Sequence, residues 1–210
     1  MSGPGTKEDD VGTTRRIGLF GGSFDPVHRA HVALATTALE QLRLDQVRWI
    51  PAGRPWQKAR ELAPARHRAA MVELAIQGEP RFVMDDCELR RSGASYTLDT
   101  VRELQAETPG ARWFLILGQD QYAGLHTWLG WESLLARVTV AVAQRPGASL
   151  QDNPEIRRVG HQAVALPMMD VSSTDIRARH AADQGIDALV PAAVARYIDQ
   201  HRLYRGTSGS

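Results

Sequence analysis

Cysteine is almost missing from this chain: Cys87 is the only one in 210 residues. An internal disulfide is therefore excluded, and so is a metal site built from cysteines. A lone thiol has no chemistry that needs a partner, so Cys87 is expected to be inert and a cytoplasmic setting is the simplest reading. Lysine is equally scarce. Lys7 and Lys58 are the only two, and the remaining basic charge is arginine. No apolar run approaches the roughly 18 residues that a membrane span requires. The stretch from Met1 to Thr14 lacks the apolar centre of a secretory signal and reads as a leader without structure. A formal net charge of +1 gives no field that would recruit nucleic acid or a membrane. Two phosphate-binding signatures are also missing: G-x-x-x-x-G-K-[ST], and G-x-G-x-x-G after the first strand. A P-loop NTPase and a hydride-transferring dehydrogenase are disfavoured accordingly. No repeat appears at a spacing of 20–50 residues.

What is present is enough apolar material, 43% of the chain, for one domain with a sizeable core. Its organising stretch runs from Ile17 to His31. Ile17 to Phe20 is a short apolar run that predicts a buried strand. Gly21-Gly22 follow at once, then Ser23-Phe24-Asp25-Pro26, a turn and helix-start signal. His28 and His31 come next, three residues apart and so on one helix face, able to address one ligand together. Free backbone N–H groups and the helix dipole favour an anion at such a terminus. Asp25 is open between two roles, capping this helix and touching ligand.

Downstream, strand and helix alternate. The pattern predicts a helix over residues 29–42, a strand at Val47 to Ile50 ended by Pro51, and a long loop through Arg60. A helix from Pro64 to about Gln77 should bury Ala70, Met71, Leu74 and Ala75. A short strand at Phe82 to Met84 precedes a helix from about Thr97 to Glu107 with Ser95 as its cap. Trp113 to Leu117 reads as a central strand buried on both faces. After Gly118-Gln119-Asp120, one helical stretch should carry Leu125, Trp128, Trp131, Leu134 and Leu135. Strands are expected at Val138 to Ala143 and Ala163 to Leu166, with a polar surface segment over 148–162. Ser172 or Ser173 caps a further helix, and Pro191 opens the last one. This order implies an α/β, Rossmann-like doubly wound parallel sheet with a small C-terminal helical part. Ligands should bind at the carboxyl ends of its strands. His67, His126, His161, His180 and His201 have no partner pattern and are read as surface residues.

Gly21-Gly22-Ser23-Phe24-Asp25-Pro26-Val27-His28-Arg29-Ala30-His31 resembles the signature of the HxGH nucleotidyltransferase superfamily, with Ala30 where the family pattern has glycine. Ser172-Ser173-Thr174-Asp175-Ile176-Arg177 is similar to that superfamily's second motif. Ser95-Tyr96-Thr97, Gly118-Gln119-Asp120 with Trp128 and Trp131 to Leu135, and Val190-Pro191 through Tyr204 resemble the bacterial nicotinate-nucleotide adenylyltransferases in particular. The resemblance spans residues 16–204, taken as a nucleotidyltransferase domain between a disordered leader (1–15) and a flexible tail (205–210).

The resemblance implies condensation of ATP with nicotinate mononucleotide to nicotinate adenine dinucleotide and pyrophosphate, by direct attack on the α-phosphorus. On that basis His28, His31, Lys58 and Arg177 would be the catalytic groups. Gly21, Gly22, Ser23, Phe24, Gly118, Asp120, Ser172, Ser173 and Thr174 would join the histidines and Arg177 around ATP. Tyr96 and Thr97 would offer N–H groups to the nicotinate carboxylate, and Trp128 would stack on the pyridine ring. Core packing is the alternative for Trp128, and a helix cap the alternative for Asp120. Mg²⁺ would be held through the phosphates, with no protein metal site. A homo-oligomer is left open. The rival readings are a phosphopantetheine adenylyltransferase or cytidylyltransferase of the same superfamily, and a nucleotide-binding sensor without catalysis.

Overall fold

A computed structural model describes residues 14–53, 62–144, 154–166 and 169–205. The strands are β1 (Arg16–Gly22), β2 (Gln46–Pro51), β3 (Phe82–Met84), β4 (Arg112–Leu117), β5 (Thr139–Gln144) and β6 (His161–Ala165). They form one parallel sheet in the order β3-β2-β1-β4-β5-β6. The helices are α1 (Arg29–Gln41), α2 (Ala65–Ile76), α3 (Cys87–Arg90), α4 (Thr97–Glu107), α5 (Gln119–Ala123), α6 (Trp131–Leu135), α7 (Pro154–Arg157), α8 (Ser173–Ala181) and α9 (Ala192–Gln200). This is the doubly wound α/β arrangement that the alternation of elements predicts. Its strand order reverses direction between β1 and β4, where such folds open a crevice.

The central strands show why both faces are covered. Along β4, Phe114 and Ile116 join the core under α1, α2, α8 and α9, while Trp113, Leu115 and Leu117 join the one under α4, α5 and α6. With period-two side chains, the apolar run Trp113 to Leu117 leaves neither face for water. Gly18 in β1 belongs to the same packing. A Cβ there would lie 2.9 Å from both Ile116 Cδ1 and Leu44 Cδ1. The core is close-packed at this point, and only hydrogen fits.

Several local expectations are corrected. The helix after β3 is capped at Tyr96 rather than Ser95, whose side chain instead turns towards Glu88. In α2 the buried face is Arg68, Met71, Val72 and Ile76, one step round from the apolar set chosen by periodicity. The stretch after Gly118 is three pieces, α5, a 3-10 turn (Leu125–Thr127) and α6. Gly130 makes the second break, with φ of 67° and Leu98 Cδ2 only 2.6 Å from where a Cβ would be. The segment read as polar surface contains α7, with Ile156 buried and its carbonyl, with that of Val159, accepting from the Tyr122 hydroxyl. The remaining part of it, residues 148–153, lies outside the described residues. Among the described residues no helix is long and apolar enough to cross a membrane.

Candidate active site

The carboxyl ends of β1, β2 and β4 meet at one edge of the sheet. After β1 the chain turns through Ser23 and Phe24, the latter at a positive φ of 46°, and enters α1 with His28 at the N-cap. Phe24 is 1% exposed and packs edge-on to His31 at 5.2 Å, so its ring belongs to the core and supports the histidine from behind. The His28 and His31 rings stack at 3.6 Å with 24° between planes. The His28 N–H donates to His31 Nδ1 at 3.2 Å, which places the proton of a neutral His31 on Nε2. His28 is 6% exposed, and its buried Nδ1 meets no hydrogen-bond partner among the described residues. Burial holds its pKa down at about 4, so the imidazole is neutral at pH 7. The two rings are a built pair in the fold rather than two loose surface side chains.

The helix α8 approaches the same turn. Ser172 caps it, its Oγ accepting from Asp175 N–H at 3.0 Å. Ser173 Oγ donates to the Pro26 carbonyl at 2.9 Å. Arg177 donates to the Asp25 carbonyl at 2.7 Å and to Thr174 Oγ1 at 3.1 Å. The two sequence motifs are therefore bonded to each other through the backbone of Asp25-Pro26, by contacts that span 147 and 152 residues of chain. The Asp25 side chain does not cap α1, whose N-cap is His28. It is fully buried, and accepts from the Tyr204 hydroxyl at 2.7 Å and the Ala63 N–H at 3.3 Å.

Two cavities open at this edge. One is lined by Gly21, Gly22, Ser23, Ala52, Glu88, Ser95, Thr97, Thr100, Leu117 and Trp128, among others. The other is lined by Ala30, Leu34, Gly118, Gln119, Asp120, Gln121, Gln144, Leu166 and Met169. Trp128 is half-buried, packing on the core with part of its ring while lining the first cavity. The break at Gly130 leaves it in extended backbone between helical pieces. Thr97 lines the same cavity from the first turn of α4, whereas the Tyr96 side chain faces a neighbouring crevice with Leu129 and Leu134. Asp120 follows the cap, Gly118, and faces the second cavity. Lys58, with Trp56, lies outside the described residues.

Comparison with known proteins gives the family. Residues 19–179 match the family model described as cytidylyltransferase-like. A probable nicotinate-nucleotide adenylyltransferase of Methylibium petroleiphilum is 53% identical over 93% of this chain and 95% of its own. One from Bordetella parapertussis is 49% identical over 93% of this chain and all of its own. The chain belongs to the nicotinate-nucleotide adenylyltransferase family. In fold it is similar to the nicotinic acid mononucleotide adenylyltransferase of Plasmodium falciparum complexed with NaAD. The TM-score is 0.73 at 19% identity, over 90% of this chain and 97% of that one.

Some residues of this family member were not found from sequence. Arg68, 2% exposed, donates to the carbonyls of Ala63, Ser23 and Ala52 at 3.0, 3.0 and 2.7 Å and to Gly53 at 3.4 Å. An arginine in a helix carries no local sign that its partners will be main-chain oxygens. Glu88 was passed over for the same reason. Tyr204 had appeared only as part of the resemblance. His180 is buried, and His67 and His161 are half-buried against Tyr197 and Tyr122, so the surface reading fails for these three histidines. Cys87 is buried, and burial above all pushes its thiol up to about 12.

Proposed function

We propose that this chain joins ATP and nicotinate mononucleotide to give nicotinate adenine dinucleotide and pyrophosphate, as a step in NAD biosynthesis. The observation that carries the reading is the placement of the stacked His28–His31 pair. It sits at the N-terminus of α1, with Ser23 before it lining the first cavity, Ala30 within the pair lining the second, and the α8 N-terminus bonded to the same turn.

In this reading the second cavity holds the adenosine of ATP, beside Gly118 and Asp120. The triphosphate lies over Gly21, Gly22, Ser23, His28 and His31, and reaches the N-terminus of α8 at Ser172, Ser173 and Thr174. The mononucleotide occupies the first cavity. Its carboxylate meets the first turn of α4 at Tyr96 and Thr97, where N–H groups without helical partners favour an anion, and its ring lies against Trp128. The phosphate of the mononucleotide attacks the α-phosphorus in line. One P–O bond forms as the bond to the pyrophosphate oxygen breaks, and the electron pair leaves with pyrophosphate. Such a transfer asks the protein mainly for alignment and for donors towards the charge that grows on the α-phosphate oxygens. His31, with its proton on Nε2, and His28 supply donors, and Arg177 adds a fixed positive charge. The lowered pKa of His28 leaves it neutral in the free protein, and an adjacent phosphate would raise that pKa and favour the protonated ring.

The donors gathered here are imidazole, guanidinium and backbone N–H, which are anion ligands. They fit a metal-bound triphosphate as groups that grip the phosphates, so Mg²⁺ is proposed to enter with ATP and to be held by its oxygens, neutralising charge between the phosphates. Lys58 is proposed as a further basic residue over the phosphates. Residues 16–204 are proposed as the catalytic domain, working in the cytoplasm.

Pyrophosphate release with ATP and, in turn, nicotinate mononucleotide, its amide and phosphopantetheine tests the reading. The acid is expected to be turned over with the highest kcat/KM. Equal kcat/KM for acid and amide would remove the assignment of Tyr96 and Thr97, preference for phosphopantetheine would overturn the substrate, and no turnover of any would leave a sensor.

A further inference from the structure

We propose that Glu88 is a positioning residue of the mononucleotide cavity: its carboxyl locks the Ser95–Thr97 turn to the exit of β2 and so sets the preference for an acid over an amide. The proposal rests on the adenylyltransferase reading above.

Glu88 stands in α3, 8% exposed, and lines the first cavity together with Ser95, Thr97, Thr100 and Trp128. Three donors from three segments converge on its carboxyl. Thr100 Oγ1, one turn into α4, donates at 2.8 Å. The Ser95 hydroxyl and the Gly53 N–H face the carboxyl as well and favour its charged form. Arg91 donates to Thr100 Oγ1 at 3.1 Å, and the one proton of that hydroxyl has Glu88 at 2.8 Å as its nearer acceptor, the Tyr96 carbonyl lying at 3.4 Å. A buried carboxyl is costly unless its oxygens are satisfied, and this set satisfies them.

The junction is also sterically closed. A Cβ on Gly53 would stand 2.2 Å from the Glu88 carbonyl oxygen and 2.8 Å from Ser95 Oγ. The backbone leaving β2 is thus pressed against both residues, with room for glycine only. Tyr96 and Thr97 follow Ser95 directly, so the position of their N–H groups over the cavity is inherited from this junction. A charge-assisted hydrogen bond to a substrate carboxylate is roughly twice as strong as one to a neutral amide, so more binding energy is lost when its donors are displaced. Loosening the turn therefore affects the acid more than the amide.

The electrostatics agree. Burial, opposed by the bonds from Thr100, Gly53 and Ser95 and by Arg91, pushes the Glu88 carboxyl above the ordinary glutamate range. A carboxyl inclined towards its neutral form repels an acidic substrate in the same cavity less than a permanently ionised one does.

The test compares steady-state kinetics of wild type, Glu88→Ala, Glu88→Gln and Thr100→Val on ATP with each mononucleotide, beside their melting temperatures. Loss of the clasp in Glu88→Ala should raise KM for the acid about tenfold and compress the acid-over-amide ratio similarly, with KM for ATP within about twofold of wild type. Glu88→Gln keeps an acceptor oxygen and should stay within about threefold of wild type. Thr100→Val removes one donor, keeps the shape, and should move KM for the acid in the same direction by about threefold. This variant decides the matter if the Glu88 variants do not fold. An unchanged KM for the acid in Glu88→Ala or Thr100→Val, or an equal rise for both substrates, would overturn the role. So would a Gln variant as impaired as the Ala variant. A wild type inactive on the acid overturns the functional reading and this proposal together, whereas an active wild type beside an unaffected Glu88→Ala overturns this proposal alone.

Discussion

At the scale of single residues, His31 and His28 divide their tasks through burial and orientation. His31 accepts from the chain at Nδ1 and carries its proton on Nε2. Its ring is held by Phe24 and Phe20, at 5.2 and 5.9 Å between centroids. Such a donor is already aligned before substrate arrives, and preorganised donors account for most of what a site of this type can contribute. His31→Ala should therefore lower kcat by about 10²-fold or more with the fold intact, as read by pyrophosphate release and circular dichroism. A rate near wild type would remove His31 from the chemistry. The Ala30 methyl, where the family pattern has glycine, lines the second cavity rather than closing it.

At the scale of elements, the strongest statement concerns the C-terminus. The turns after α9 bring Tyr204 back to the loop before α1, where its hydroxyl donates to the buried Asp25 carboxylate. Tyr204→Phe removes that donor and leaves a carboxylate with less compensation in the interior. It should cost about 1–3 kcal/mol, read as a lower denaturation midpoint with an unchanged slope. An unchanged midpoint would show that Asp25 does not depend on the last turn. Sequence made the elements themselves legible, because β4 is a continuous apolar run, α1 has a helical period and Ser172 is a cap of the preferred chemistry. The two phosphate motifs were legible as local strings. Their bonding through Asp25-Pro26, the clasp around Glu88 and the arginine socket were not, since each consists of long-range bonds, many to main-chain atoms that every residue possesses. Periodicity likewise could not see Gly130 interrupting the helical pattern around Trp128, because the strain there is set by Leu98 on another helix.

At the scale of the whole molecule, His28 links the site to folding stability. Its folded pKa of about 4 lies below the ordinary 6.5, so the unfolded chain takes up the proton first. The stability this confers is present above about pH 6.5 and is lost as pH falls towards 4; at about 1.36 kcal/mol per pKa unit the loss is about 3 kcal/mol. Urea titrations of wild type and His28→Gln across that window should show the variant losing less stability than wild type. ATP should shallow the wild-type slope, since a bound phosphate favours the protonated ring. Parallel slopes for the two proteins would place the acid sensitivity elsewhere. Arg68, finally, holds together the ends of β1 and β2 and the start of α2 entirely through carbonyl oxygens. Carbonyls are the same whatever side chain the residue bears. The chain can therefore exchange side chains at positions 23, 52 and 63 without this fastening registering the change, while Arg68 itself has no substitute: the scaffold beneath the site is tolerant of drift on one side of each bond and intolerant on the other.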